Sequence, residues 1–226
     1  MKLVTLAILS LITTHLHGED APAVKDDSQG QPAQEDETLK VFPDPSGKEY
    51  FPKGEASYYT RYLSAMAEPS VKADLEKGVE RVFRFTYLRS FHDPIAVRFV
   101  DRGGIFTVRA VRMKMDREYR PVKIVDDRTW KLGAETAKAV QAALLQKEFW
   151  KPLNDIEMAV AQGGLDGSRW IFEIHDKDGY RMIDIWTPNA LAKSGADKIR
   201  DFLVYKNTGE KILEIGKILL KPEERY

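Results

Sequence analysis

The chain has 226 residues and no cysteine, and its 35 basic and 35 acidic side chains cancel to a formal charge of zero. Without cysteine there can be no disulfide and no lipid on an N-terminal cysteine, so the fold must rest on its core. The charge balance lacks the strong basic excess of a nucleic-acid binder, and no nucleic-acid partner is expected.

The first residues have the form of an export signal. Lys2 is followed by an apolar run over 3–12, interrupted only by Thr5 and Ser10, and then by a short polar stretch with small residues. The run is too short to cross a bilayer, which takes roughly 20 apolar residues. Residues 1–18 therefore read as a signal peptide cut near Gly18, with Ala23 as the alternative end and an uncleaved anchor as the competing case. The expectation is an exported protein, periplasmic or secreted, with no stable membrane anchor after cleavage. Residues 19–50 hold nine acidic and three basic side chains and few branched apolar ones. Such a segment cannot bury enough surface to offset its ordering entropy, so it reads as a disordered acidic tether. Residues 51–226 are then expected as a single α+β domain.

Within that region, Tyr59, Tyr62, Leu63 and Met66 recur at helical spacing before Pro69 and predict a helix over 55–67, with a further turn over 71–77. From 81 to 91 the period falls to two: Phe83, Phe85 and Tyr87 alternate with Arg84 and Thr86. Strands over 95–99, after the His92-Asp93-Pro94 corner, over 105–115, after Gly103-Gly104, and over 122–132 complete an antiparallel meander, because the connections are too short for parallel crossovers. Residues 134–147 predict a helix with Ala137, Val140 and Leu144 on one face. Residues 169–175 and 180–187 form a hairpin around Asp176-Lys177-Asp178-Gly179. A third helix capped by Ser194 carries Ile199, Phe202 and Leu203 and stops at Asn207-Thr208-Gly209, while 212–220 fits helix or strand. The fold class is thus α+β: a mainly antiparallel sheet, meander plus C-terminal hairpin, packed with about three helices.

The hairpin carries the one constellation with chemistry in it. With Asp178-Gly179 as the turn, Trp170, Phe172, Ile174, Ile183 and Ile185 share an apolar face. Arg169, Ile171, Glu173, His175, Met182, Asp184 and Trp186 take the other. In that register Glu173 and Asp184 oppose each other directly, which calls for a cation or a shared proton. Arg84, Arg98, Arg109 or Arg112, and Arg169 diagonally, lie on phases that could supply the cation. Two outcomes compete: a solvated face of ion pairs, or a polar groove with a carboxylate pair and Trp186 as a stacking wall. His92 and His175 read as surface or turn histidines, and neither a metal nor a cofactor is expected. Asp176-Lys177-Asp178-Gly179 reads as a turn rather than a calcium loop, and the glycine-rich run at 163–168 precedes a strand, so it lacks the helix start of a phosphate cradle. No Gly-x-Ser-x-Gly elbow is present.

Three blocks carry a resemblance: Phe83-Arg84-Phe85-Thr86-Tyr87-Leu88-Arg89-Ser90-Phe91-His92, then Gly164-Leu165-Asp166-Gly167-Ser168-Arg169-Trp170-Ile171-Phe172-Glu173, then Gly179-Tyr180 through Trp186-Thr187-Pro188. Over roughly 83–220 they resemble an uncharacterised family of exported bacterial proteins with no assigned activity. The resemblance implies a histidine and an arginine where this chain has Arg181 and Ile185. It also draws attention to Arg89, His92, Asp166, Glu173 and Trp186 as candidate binding residues.

Two functions follow as expectations. The first is a non-catalytic binding or interaction protein of the cell envelope, whose partner is an envelope protein or a glycan. The second is a glycosidase-like hydrolase in which Glu173 works with Asp184 or Asp166 as a carboxylate pair.

Overall fold

The computed structural model describes residues 55–72, 75–161, 166–193 and 200–224. The signal and cleavage site, the acidic tether and the Ser194 cap lie outside the described residues.

The architecture is α+β. In chain order it comprises α1 (Glu55–Ala65), β1 (Arg81–Arg89), β2 (His92–Arg102), β3 (Ile105–Met115), β4 (Pro121–Lys131), α2 (Ala134–Leu144), α3 (Asp155–Ala161), β5 (Ser168–Asp176), β6 (Gly179–Trp186), α4 (Pro188–Lys193) and α5 (Phe202–Ile215). The six strands form one sheet in the order β4-β3-β2-β1-β5-β6, and every neighbouring pair is antiparallel. The meander predicted from residues 81–132 supplies four of the six strands. The hairpin docks on the free edge of β1, which makes β1 central.

Both faces of the central strands are covered, while the edge strand β4 is largely exposed. On one, Phe83, Phe85, Tyr87, Val97, Phe99, Trp170, Phe172, Ile174, Ile183 and Ile185 pack against α2 and α5. The alternation of the strand residues dictates this, since every second side chain points to the same face. On the other face α1 lays Tyr59, Tyr62, Leu63 and Met66 over Ala96, Val111, Met113 and Ile171. Its end is built locally: Ala67 takes a left-handed φ of 52°, and the Glu68 N–H returns to the Leu63 carbonyl at 2.9 Å. Around Glu173 and Asp184 the face opposite the aromatic core is therefore covered rather than a solvated sheet face or an open groove.

The C-terminal helix departs from expectation in an informative way. It runs through Asn207-Thr208-Gly209, which had the look of a helix stop, to Ile215, and so settles the first part of 212–220 as helix. A Cβ on Gly209 would stand 2.1 Å from Cζ3 of Trp170, inside the indole. This glycine serves close approach rather than termination, at a helix-propensity cost of about 1 kcal/mol. Asp201 caps the helix, its Oδ1 accepting from the Leu203 N–H at 3.1 Å. The short α3 and α4 were not apparent from periodicity because each is too brief to show it.

Candidate functional site

The hairpin turns one pair earlier than Asp178-Gly179 implies. Asp176 pairs with Gly179, so Lys177 and Asp178 form the loop, Glu173 faces Met182, and Asp184 faces Ile171. Glu173 and Asp184 are diagonal neighbours rather than direct opposites, roughly 7–8 Å apart along the backbone. The division of the hairpin into an apolar and a polar face is as expected, because a two-residue shift preserves the faces.

Glu173 is 3 % exposed and fully engaged. Arg84 donates to it from Nε at 2.6 Å and from Nη2 at 2.8 Å, and the Tyr180 hydroxyl donates to Oε1 at 2.8 Å. The remaining Arg84 terminal nitrogen donates to the Pro69 carbonyl at 2.7 Å. Burial lowers the Arg84 pKa, but the Glu173 carboxylate outweighs it and holds the guanidinium above its ordinary value. Asp184 accepts from the Tyr59 hydroxyl of α1 at 2.6 Å and lies 3.6 Å from Arg169. Asp184 thus ties α1 to the sheet directly, whereas Glu173 joins β5 to β1 and β6 and reaches the covering segment through Arg84 and the Pro69 carbonyl; neither lines any of the cavities at α5, beside residues 69–72 and 75–79 or at the Asp176–Arg181 corner.

Arg84 belongs to a larger arrangement. It pairs directly with Arg98 across β1 and β2, and Arg98 pairs directly with Arg109 across β2 and β3. Three arginines therefore stand abreast on strands about 4.8 Å apart, an order that is destabilising unless anions are interleaved. Glu68, 0 % exposed and carried on the turn after α1, is the roof of this ladder. It contacts Arg109 at 2.5 Å, Arg98 at 3.4 Å and Arg84 at 3.9 Å. Burial pushes the Glu68 carboxyl above its usual range, and the three guanidiniums oppose that shift. Arg109 also pairs with Asp127 and donates to the Met66 and Ala67 carbonyls, capping α1.

The other shortlisted residues gather elsewhere. Arg89 pairs with His92 and with Ser168, and Arg169 pairs with Trp186, so Arg89, His92, Asp166 and Trp186 mark one end of the sheet. Glu173 lies five residues down β5 from Ser168, about 17 Å away. Arg89 is buried, and its guanidinium holds the Asp93 carbonyl through Nε and Nη2 and the Glu224 carbonyl through Nη1. It clamps the C-terminal segment. Burial would raise the Glu224 carboxyl, but the Lys221 N–H and the charges of Arg89, Arg112 and His92 bring it below the usual carboxylate range. Gly167 fits under Trp186 and Thr187, where a Cβ would come within 2.2 Å of Thr187 Oγ1, and Ser168 Oγ accepts from the Trp170 indole N–H at 2.8 Å. Most of the distinctive Gly164–Glu173 block is thus explained by packing, with Asp166 left exposed. His175 is partly buried, with Nδ1 at 2.9 Å from the Val71 carbonyl.

At the same end stands a pair that spacing did not reveal. The β3–β4 connection is built on Asp116, whose Oδ1 accepts from the Glu118 and Arg120 N–H groups, and it places Tyr119 at a φ of 58°. Glycine or asparagine usually fills such a position, and a tyrosine there costs about 1–2 kcal/mol. The ring is 47 % exposed, and Phe91 from the β1–β2 turn, 54 % exposed, meets it edge to face with centroids 5.9 Å apart. Backbone outliers of this kind cluster at functional sites, which makes this end of the sheet a candidate.

Among the described residues no group of three or more His, Asp and Glu could hold a metal ion, and no helix is long and apolar enough to cross a membrane. Compared with known proteins, the chain matches no family model and no curated protein.

Proposed function

We propose that this chain is an exported, non-catalytic binding protein of the cell envelope, which holds an envelope protein or glycan at the end of the sheet marked by Phe91 and Tyr119. The carrying observation is that aromatic pair: two rings from separate turns, both about half exposed, one of them held out by a left-handed backbone. Aromatic rings with a polar edge combine large contact area with little entropy loss and recur at binding surfaces. Asp166 and the charged turn residues Arg117, Glu118 and Arg120 provide a polar surround at that end. Export rests on the N-terminal signal and on the likeness to exported bacterial proteins.

A hydrolase working through Glu173 draws no support from the geometry. Its oxygens are occupied by Arg84 and Tyr180, Asp184 is held by Tyr59, and Asp166 lies at the far end of β5. The test is retention of the full chain on immobilised envelope glycans and on purified envelope proteins. The expected result is binding to one of them that weakens at least ten-fold in Phe91→Ala and Tyr119→Ala. Hydrolysis of any of those glycans, abolished by Glu173→Gln in a folded variant, would replace this reading with the enzymatic one.

A further inference from the structure

The arginine ladder is unevenly satisfied. Arg84 has Glu173, Tyr180's partner, and the Pro69 carbonyl. Arg109 has Asp127, Glu68 and two carbonyls at the end of α1. Arg98, between them, shares Glu68, whose Oε2 lies 3.4 Å from its Nε, and feels the charge of Glu76; its buried Nε makes no hydrogen bond among the described residues. Its side chain is 23 % exposed and lines a cavity of about 260 Å³ beside residues 69–72 and 75–79. Arg102, four residues further along β2 and on the same face, lines the cavity too. It forms an exposed pair with Glu76 at 2.7 Å. Ser70, Thr107 and Thr129 bring hydroxyls to the same walls, Val71, Val79, Val82 and Val100 make much of the remainder apolar, and Glu76 is the one acidic side chain among the described lining residues, which an incoming anion would displace from Arg102.

An arginine fork that is half desolvated and short of acceptors is a receptor for an oxyanion, because charge-assisted bonds to phosphate or carboxylate are about twice as strong as neutral ones. Several donors approach from different strands and from hydroxyls, which suits a group with three or more oxygens better than a planar carboxylate. We propose that this cavity binds a phosphate group, with the Arg98 guanidinium as its principal ligand, Arg102 as a second cation at the rim, and Arg109 contributing charge from behind. Burial and the adjacent Arg109 and Arg84 hold the Arg98 pKa below its ordinary value, against the pull of Glu68. A bound anion would relieve that crowding. This site is separate from the aromatic pair and stands or falls without it.

The experiment is a titration of the full chain with inorganic phosphate at constant ionic strength, with chloride as the balancing anion, read by thermal melting and by calorimetry. The wild-type chain is expected to show a saturable rise in melting temperature. Arg98→Gln should lose affinity at least ten-fold, and Arg98→Lys should keep part of it. If Arg98→Gln fails to melt cooperatively, Arg102→Gln at the exposed rim serves instead, with an expected loss of several-fold. Phosphatidylglycerol vesicles form a second arm: competition with phosphate in the wild-type chain assigns the group to a lipid headgroup, and absence of competition assigns it to a solute. A phosphate response no larger than that of chloride, or one equal in wild type and in the folded arginine variants, overturns the proposal.

Discussion

The two faces of the central strands are both buried, but by opposite means. On the helix side the fit is one of shape: Phe85 stacks on Phe172 with centroids 4.8 Å apart, meets Trp170 at 5.4 Å, and Trp170 in turn lies against the bare backbone of Gly209. On the α1 side a small apolar patch around Leu63, Ala96 and Val111 gives way to ion pairs, with Arg84, Arg98 and Arg109 under Glu68 and beside Glu173. Close-packed interiors resist changes of volume. Buried ion pairs resist changes of charge, because removing one partner strands the other without water. The same sheet should therefore fail in two distinguishable ways.

The largest effect is expected on the charged face. Glu173→Gln leaves the Arg84 guanidinium buried without its counter-charge and should cost about 3–5 kcal/mol in denaturant unfolding. Glu68→Gln should cost a comparable amount. A loss below about 1 kcal/mol in both would mean that the ladder is not structural. Next comes Gly209→Ala, where propensity and packing predict opposite signs. Alanine favours the helix by about 1 kcal/mol, but the added methyl collides with the indole of Trp170, and overpacking costs about 1–3 kcal/mol. Net destabilisation, together with a changed tryptophan emission, is the expected outcome; a more stable protein would show that the contact is looser than described.

A pH series sharpens the contrast, since only charged contacts titrate. The folded pKa of Glu224 lies below the ordinary value of 4.5, so its contribution is fully present above that pH and fades as the pH falls through the lowered value. Wild type should accordingly be more stable than Glu224→Gln at neutral pH, with the gap closing as acid takes the pH below the ordinary carboxylate value of 4.5 and through the lowered one. A gap independent of pH would sever Glu224 from Arg89 and Arg112. The smallest effect belongs to the exposed end of the sheet. Tyr119→Gly relieves the left-handed backbone and should raise stability by up to about 1 kcal/mol while weakening partner retention. Unchanged retention would deprive the strain of its functional explanation.

Strands were legible in this sequence because alternation reports which face a residue takes, and both faces of the central strands are buried. The separation of Trp170, Phe172 and Ile174 from Glu173 needed nothing more. What alternation cannot report is register. The turn of β5 and β6 falls at Lys177-Asp178, one pair earlier than Asp178-Gly179 suggests, and that alone turned an apparent Glu173–Asp184 couple into two separate anchors. The pairing of Arg98 with Arg109 was accessible, since Gly103 and Gly104, both at positive φ, make a two-residue turn that fixes it. The pairing of Arg84 with Arg98 was not, because the ladder shifts between Tyr87 and Arg89. Glu68 escaped notice because it lies on a turn rather than on a periodic element, and Gly209 misled because a glycine needed for packing has the same letter as one that ends a helix. The site residues were partly brought together, Arg89, His92, Asp166 and Trp186 at one end, while Glu173 belongs to a different structure.

A double-mutant cycle on Arg84 and Glu173 tests the central claim, that the carboxylate is the buried counter-charge of Arg84 rather than a reacting group. Arg84→Met and Glu173→Leu should each lose about 3–5 kcal/mol of stability, and the double variant much less, because the two replacements leave no stranded charge. Singles that melt like wild type, with a hydrolytic activity lost on Glu173→Leu, would contradict it.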